Sequence, residues 1–213
     1  EAVRRALAGG EPVRRRVDRA SGVARVAADD GGPDLAADEG VVTKRFGPAW
    51  RLLVVGAGEL GHHLAAMARR LGYGVTVCDP RREYREAWAA GEIPLDPGMP
   101  DDAVAGWEPD PHGAVVTTTH DPKLDDLALL EALTSPAFYV GALGSSRTDA
   151  RRRERLRDLG VPEPALARLR GPVGLPIGSR TPPEIAVSIV AELTAVRRGR
   201  DPRPAVPEAE REA

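Results

Sequence analysis

An α/β fold, a doubly wound parallel sheet with helices on both faces, is predicted for this 213-residue chain by three observations. First, Leu52-Leu53-Val54-Val55 run straight into glycines spaced G-x-G-x-x-G at Gly56, Gly58 and Gly61. That is how a buried strand enters a dinucleotide-binding turn, which makes the fold Rossmann-like. Second, strand-like and helix-like stretches alternate from Trp50 onward, the pattern of parallel strands joined by helical crossovers. Third, Thr181 and Glu184 form a T-x-x-E capping box, with Pro182 at the first helical position and Ile185, Ile189, Leu193 and Val196 behind it. A final helix with an apolar face to bury follows from that spacing.

Taken in order, residues 2–8 read as a short helix. Val13, Val17, Val23 and Val26 read as two strands joined near Ser21-Gly22. The Asp-, Gly- and Ala-rich stretch 29–40 reads as a loop, and 41–46 as a strand before the Gly47-Pro48 break. Residues 1–48 are therefore expected to be an incomplete N-terminal segment, a small remnant of short strands. The main domain, 49–199, opens with the glycine turn. Leu60, Leu64, Met67 and Leu71 give its first helix an apolar stripe, and Gly72 and Gly74 end it. Val75-Thr76-Val77-Cys78 is a second strand closing at Asp79. Residues 84–111 read as an irregular crossover with a short helix near 102–106. Further strands are expected at 114–117 and 138–140, and further helices at 124–133 and 149–159. The stretch 171–178 is punctuated enough by Gly and Pro to be a rigid loop feeding the last helix. Residues 200–213, Pro-rich and charged, are expected to be a disordered tail.

Composition narrows the functional classes. With 42% hydrophobic and 29% charged residues and a net charge of -2, the chain has no overall pull toward nucleic acid. No apolar run approaches membrane-spanning length. The single cysteine rules out an internal disulfide and any multi-Cys zinc site, which suits a cytoplasmic protein.

The candidate ligand site gathers where strands end. Gly56 permits a tight turn, Gly58 lets the backbone approach a pyrophosphate, and Gly61 lets helix and strand pack closely. The phosphates would face the N–H groups at the helix N-terminus, where the macrodipole favours negative charge. Asp79, 23 positions after Gly56, stands where a ribose-binding acid is expected. Thr117 to Lys123 place hydroxyls, the His120 imidazole and the Asp121 carboxylate at the same edge; the competing reading is that His120 and Asp121 cap the next helix. Gly141, Gly144, Ser145, Ser146 and Arg147 form a second glycine-rich turn and a second anion cradle, against which stands a plain N-cap at Ser145 or Ser146. Arg147, Arg151, Arg152, Arg153, Arg155 and Arg157 are interleaved with Asp149, Glu154 and Asp158, so they read as a solvated helix face. Cys78 reads as an inert buried strand cysteine. His62 and His63 read as solvent or cap contacts, and no metal ligands are assigned.

Five ordered blocks resemble the XdhC/CoxI-type accessory proteins of molybdenum hydroxylases over residues 42–199. They are the Gly56-Ala-Gly turn, Val77-Cys-Asp-Pro-Arg81, Thr119-His-Asp-Pro-Lys-Leu-Asp125, Tyr139-Val-Gly-Ala-Leu-Gly-Ser-Ser-Arg147, and Pro172-Val-Gly-Leu-Pro-Ile-Gly178 leading into Thr181-Pro-Pro-Glu. The resemblance implies a non-enzymatic chaperone that binds molybdenum cofactor (molybdopterin, or its dinucleotide form). Such a chaperone protects the cofactor while its sulfido ligand is installed and passes it to an apo-hydroxylase such as xanthine dehydrogenase. A cysteine desulfurase is the implied sulfur source, and a homodimer is the expected assembly. The family's N-terminal domain with its Cys-Pro-Gly-Gly type loop has no counterpart in this sequence, and the residues before Phe46 read as the end of such a domain. Two further readings use the same turn. One is an NAD(P)-dependent oxidoreductase with Asp79 on the ribose and His120 relaying a proton; the other is a nucleotide-sensing regulatory module.

Overall fold

The computed structural model describes residues 2–8, 12–30, 35–47, 50–88, 93–200 and 202, and the chain divides into two units, 1–49 and 50–213. In the first unit, α1 (Ala2–Ala8) precedes β1 (Val13–Asp18), β2 (Ala24–Ala28), β3 (Leu35–Asp38) and β4 (Val41–Phe46). They form an antiparallel sheet of order β2-β1-β4-β3, with Val13 opposite both Ala28 and Phe46. Asp18 accepts the N–H groups of Ala20 and Ser21 at 3.1 and 2.7 Å, and Gly22 follows at φ +70°, which fixes the β1–β2 turn at the expected joint. Strand β3 corrects the expectation of a loop over 29–40. Leu35 to Asp38 carry no alternating pattern and are extended because β4 offers them a ladder, a tertiary cause that local composition hides.

The second unit contains β5 (Arg51–Val55), α2 (Glu59–Arg70), β6 (Gly74–Cys78), α3 (Arg82–Glu86), β7 (Leu95–Asp96), α4 (Pro100–Trp107), β8 (Gly113–Thr117) and α5 (Pro122–Thr134). After these come β9 (Tyr139–Ala142), α6 (Ser146–Asp158), α7 (Glu163–Leu166), β10 (Leu169–Arg170) and α8 (Pro182–Arg197). Its six strands are all parallel, in the order β10-β9-β8-β5-β6-β7. The chain builds outward from β5 to one side and then returns to build from β8 to the other, so the strand order reverses between β5 and β8. In register, Val55 lies beside Cys78 and Thr117, which brings Gly56, Asp79 and Thr118 to one edge.

Successive residues of the buried strands serve opposite faces. Leu52 and Val54 pack with Leu64, Ala65 and Ala68 of α2 and with Ala186, Ile189 and Leu193 of α8. Leu53 and Val55 pack with Val104 of α4, Leu129 and Leu133 of α5 and Leu156 of α6. These helices cover both faces, giving the Rossmann-like architecture. The two-residue strands β7 and β10 were not expected, because each is an edge strand too short to show a period. The crossover 84–111 is correspondingly more regular than expected, with β7 and a longer α4. Leu71 leaves the expected stripe: it is the C-cap of α2, 43% exposed, with Gly72 at φ +85° turning the chain away. The expected tail falls, apart from Arg200 and Pro202, outside the described residues.

Candidate functional site

The three glycines of the first turn have different physical reasons to be glycine. Gly56 has φ +121°, and a Cβ there would lie 2.6 Å from the Thr118 hydroxyl oxygen. A Cβ on Gly61 would lie 2.0 Å from the Gly56 carbonyl oxygen, so the first turn of α2 sits directly on the loop. The protein's own packing demands both. Gly58 is ordinary extended backbone, and a Cβ there would meet only the Tyr84 ring at 3.6 Å. Nothing inside the protein requires glycine at that position; what a missing side chain supplies is room over the backbone. Beyond it, α2 begins with no side-chain cap, as do the shorter α3, α4 and α7, whereas α5 and α6 are capped by Asp121 and Ser145 and α8 by its capping box. The first-turn N–H groups of α2 are thus left to an external acceptor.

Asp79 stands at the end of β6, fully buried. Its Oδ2 accepts the Ala57 N–H at 2.8 Å and Arg81 Nη2 at 2.8 Å; its Oδ1 accepts the Arg81 N–H at 3.1 Å and Arg81 Nε at 2.9 Å. Burial by itself raises this carboxyl, but the hydrogen bonds from Arg81 and Ala57 outweigh it and hold Asp79 below the usual carboxylate range. A carboxylate offers about four acceptor positions, and here protein donors take them all. The Arg81 guanidinium in turn lies over the Tyr84 ring at 3.8 Å, and that ring covers Gly58. Arg81 and Tyr84 therefore line the approach to the glycine turn, although neither stood out as a candidate in the sequence. The signal available was the Asp-Pro-Arg spacing, which permits an i,i+2 pair.

The loop after β8 is braced inward. The Thr118 hydroxyl donates to Val55 O at 3.1 Å, and the Thr119 hydroxyl donates to Asp125 Oδ1 at 2.7 Å. This corrects the expectation that these hydroxyls face a ligand, because strand-end carbonyls and a buried carboxylate claim them first. His120 is exposed, and Asp121 is the N-cap of α5, accepting the Lys123 N–H at 2.9 Å. In the second turn, Gly141 belongs to β9 rather than to the turn. A Cβ there would lie 2.6 Å from Val173 Cγ2, so this glycine admits the 171–178 loop. Gly144 has φ +156°; Ser145 caps α6, accepting the Thr148 N–H at 3.2 Å; Ser146 and Arg147 begin that helix, exposed.

The expected solvated arginine face is corrected in part: Arg147, Arg151 and Arg157 are exposed, whereas Arg152, Arg153 and Arg155 turn to the protein. Arg152 is one of the largest fully buried side chains. Its Nη2 donates to Asp125 Oδ2 at 3.1 Å and to Leu143 O at 2.8 Å, tying α5 and α6 to the loop after β9. Arg155 grips Asp126 with two bonds, at 2.6 and 3.1 Å, and Arg153 bonds Asp149, Leu166 O and Leu169 O. Asp125 and Asp126 on α5, invisible to a local reading, draw Arg152 and Arg155 inward. Burial pushes Asp125 up to about 6, against the lowering effects of Thr119 and Arg152.

Next to the second turn lies an open cleft of about 820 Å³, lined by Leu143, Gly144, Ser146, Val173, Leu175 and Ile185 among others. Its far wall, the 171–178 loop, is pinned from behind by the buried Glu192 of α8. That carboxylate accepts the Gly174 N–H at 2.8 Å, the Tyr139 hydroxyl at 2.6 Å and Arg170 Nη1 at 3.2 Å. Cys78 is buried, with its thiol pushed up to about 12 by burial and then by the carboxylates of Asp96, Asp79 and Asp101. His62 packs edge-on against Trp88 at 5.5 Å, and His63 lies 3.9 Å from Glu59. No cluster of three metal-ligating side chains occurs among the described residues, and no described helix is long and apolar enough to cross a membrane.

Comparison with known proteins gives this geometry a context. The family model described as the XdhC Rossmann domain matches residues 52–193. A Bacillus subtilis (strain 168) protein, named as a probable xanthine dehydrogenase subunit, is 32% identical over 160 residues, covering 73% of this chain and 45% of that protein. The molybdenum cofactor insertion chaperone PaoD, from Escherichia coli (strain K12), is 29% identical over 152 residues, covering 71% of this chain and 42% of that protein. A crystal structure described as a xanthine dehydrogenase from Bacillus halodurans superposes over 96% of this chain and 65% of its own, with a TM-score of 0.71 at 24% identity, which establishes the shared fold. The chain spans less than half the length of these curated relatives.

Proposed function

The chain belongs to the XdhC Rossmann-domain family, and from that premise we propose that it holds molybdenum cofactor for sulfuration and insertion into an apo-hydroxylase of the xanthine dehydrogenase kind. The observation that carries the proposal is Gly58, the one glycine of the turn that internal packing does not require, beside a long helix whose N-terminus no side chain caps. Such a place suits a phosphate or pyrophosphate, which the cofactor carries. Gly56, Gly58 and Gly61 with the first-turn amides of α2 would hold that group. Asp79 would act by holding Arg81, and His120, Asp121, Gly141, Gly144, Ser145, Ser146 and Arg147 would flank the rest of the ligand along the strand-end edge. The cofactor's own chemistry, electron and oxygen transfer at molybdenum, is supplied only once it sits in the hydroxylase. This chain's residues bind, orient and shield it.

The names of two relatives, one an insertion chaperone and the other part of a xanthine dehydrogenase, support the reading. The burial of Cys78, which opposes its thiolate, supports a division of labour in which a partner of the cysteine desulfurase type brings the sulfur. An NAD-dependent oxidoreductase, the competing reading, would call for an acid with free acceptors at the end of β6, and those of Asp79 are taken.

The test is Gly58→Asp, which puts a carboxylate where the phosphate would lie while leaving only an ordinary contact with Tyr84. Mass spectrometry of small molecules released from gently purified protein is expected to find a molybdopterin species with the wild-type chain and none with the variant, at equal thermal stability. Equal retention by the two proteins would refute the site, and absence of any pterin from the wild type would refute the function.

A further inference from the structure

We infer that Arg81 sets the ligand preference of the glycine-turn crevice, selecting a phosphate monoester at the end where a nucleotide's sugar would lie and disfavouring an unmodified ribose diol. The inference rests on the reading that the first turn takes a diphosphate, and not on which cofactor carries it.

In a nucleotide-binding fold of this type, an acid at the end of the second strand accepts hydrogen bonds from the ribose hydroxyls. Here that acid is fully buried, and Ala57 and Arg81 occupy both of its oxygens twice over. No acceptor remains for a sugar hydroxyl. What faces outward instead is the guanidinium itself. Nε and one N–H of Nη2 are committed to Asp79, so Nη1 and the second N–H of Nη2 are left as donors on a side chain that is 23% exposed. Tyr84 supports the guanidinium plane from one side, so the fork is held in place before any ligand arrives. Asp79 thus acts as a positioning residue that fixes the direction in which Arg81 donates. A second cation is close in sequence: Arg85, on the same short helix as Tyr84, has its Nε buried with no hydrogen-bond partner among the described residues.

Of the neighbouring acids, Glu86 is bonded to Arg82 at 2.6 Å and one oxygen of Asp96 accepts the Gly98 N–H at 2.7 Å, while Glu83, exposed, adds its charge to that of Asp79 in holding the Arg81 proton. A donor-only fork suits a dianionic phosphate, with two charge-assisted bonds in place of one neutral contact to a hydroxyl. Two kinds of ligand present a phosphate monoester to the fork: a dinucleotide phosphorylated on its ribose, whose diphosphate also fills the glycine turn, and a pterin phosphate without a nucleotide, whose single phosphate would fill the fork alone.

The test titrates the full chain, stripped of bound small molecules, with NADPH and with NADH, following fluorescence. The two differ only in the ribose phosphate. Wild type is expected to bind NADPH about ten-fold more tightly than NADH, and Arg81→Ala, which removes the fork and frees the Asp79 acceptors, is expected to abolish or reverse that order. Should Arg81→Ala not fold, Arg81→Lys keeps the charge but not the two-pronged hold, and the preference is expected to narrow about three-fold or more. Equal binding of the two dinucleotides by the wild type, binding of neither, or a preference unchanged in the variant overturns the inference. To separate the sources, molybdopterin phosphate is competed against bound NADPH: displacement by it marks the nucleotide-free ligand as an occupant, and failure to displace leaves the ribose phosphate as the group selected. If NADPH binding survives Gly58→Asp unchanged, the diphosphate reading falls and the inference with it. Loss of binding in that variant without a wild-type preference defeats the inference alone.

Discussion

At Cys78, a single side chain shows how position overrides chemical potential. The thiol ends a central strand, donates to Gly98 O at 3.5 Å and is surrounded by carboxylates, so both burial and charge oppose the thiolate. The expected outcome is that a disulfide exchange reagent at pH 8 modifies no thiol in the native protein and one in denaturant. Prompt native labelling would show the strand edge to be open. The glycines of the turn carry a similar contrast. Gly61→Ala forces a Cβ to within 2.0 Å of a carbonyl oxygen and is expected to lower Tm by roughly 5–10 °C or prevent folding, whereas Gly58→Ala is expected to leave Tm within about 2 °C. Equal thermal shifts in a melting experiment would remove the distinction on which the site rests. The G-x-G-x-x-G spacing, the tight turn at Gly56 and the close packing at Gly61 were readable from the sequence, but the contacts that Thr118 and Tyr84 make there were not, since both arrive from distant segments.

Elements were legible where their periodicity is long or their boundaries chemical. The α8 capping box is present, with Glu184 accepting the N–H groups of Thr181 and Arg180 at 2.9 and 2.8 Å, and α2 ends where its glycines stop it. Strands β3, β7 and β10 escaped because two to four residues give no period, and each owes its form to a neighbour's ladder. Half of the arginines of α6 depart from a solvated face for a related reason. Arg152 and Arg155 meet Asp125 and Asp126 of α5, and Arg153 reaches the carbonyls of Leu166 and Leu169, while the Arg157–Glu163 pair stays exposed. For the loops that follow, His120→Ala and Arg147→Ala are expected to slow activation of an apo-hydroxylase several-fold while shifting Tm by less than about 2 °C, both residues being exposed. Full transfer by both variants would confine the ligand to the first turn.

Across the whole second unit, two buried acids set opposite pH dependences. Asp125 is raised to about 6, so the folded state binds its proton more readily than the unfolded chain does. The cost of ionising it is absent below the unfolded value of 3.8 and complete above about 6, so this group makes stability fall as pH rises through that window. Asp79 is lowered, so its contribution is present above 3.8 and is lost as pH falls through its folded value. Of these two effects, only that of Asp125 falls between pH 7 and 5, and Tm is expected to rise by roughly 5 °C on acidification, a rise that Asp125→Asn removes. Parallel melting profiles for the two proteins would exclude it. That the sheet is parallel and covered on both faces was within reach of the sequence because strands and helices alternate, but its order was not, since the same alternation is compatible with more than one order. Nor was the Asp125–Arg152 pair, since its members lie 27 positions apart on different helices.

The uncapped start of α2 has a practical corollary for anyone handling this protein. Amides that lack an internal acceptor will take whatever oxyanion the buffer contains, so sulfate or inorganic phosphate during chromatography would displace a weakly held native guest and produce an apparently empty preparation. Extraction in a chloride medium is the condition under which the resident molecule would stay aboard.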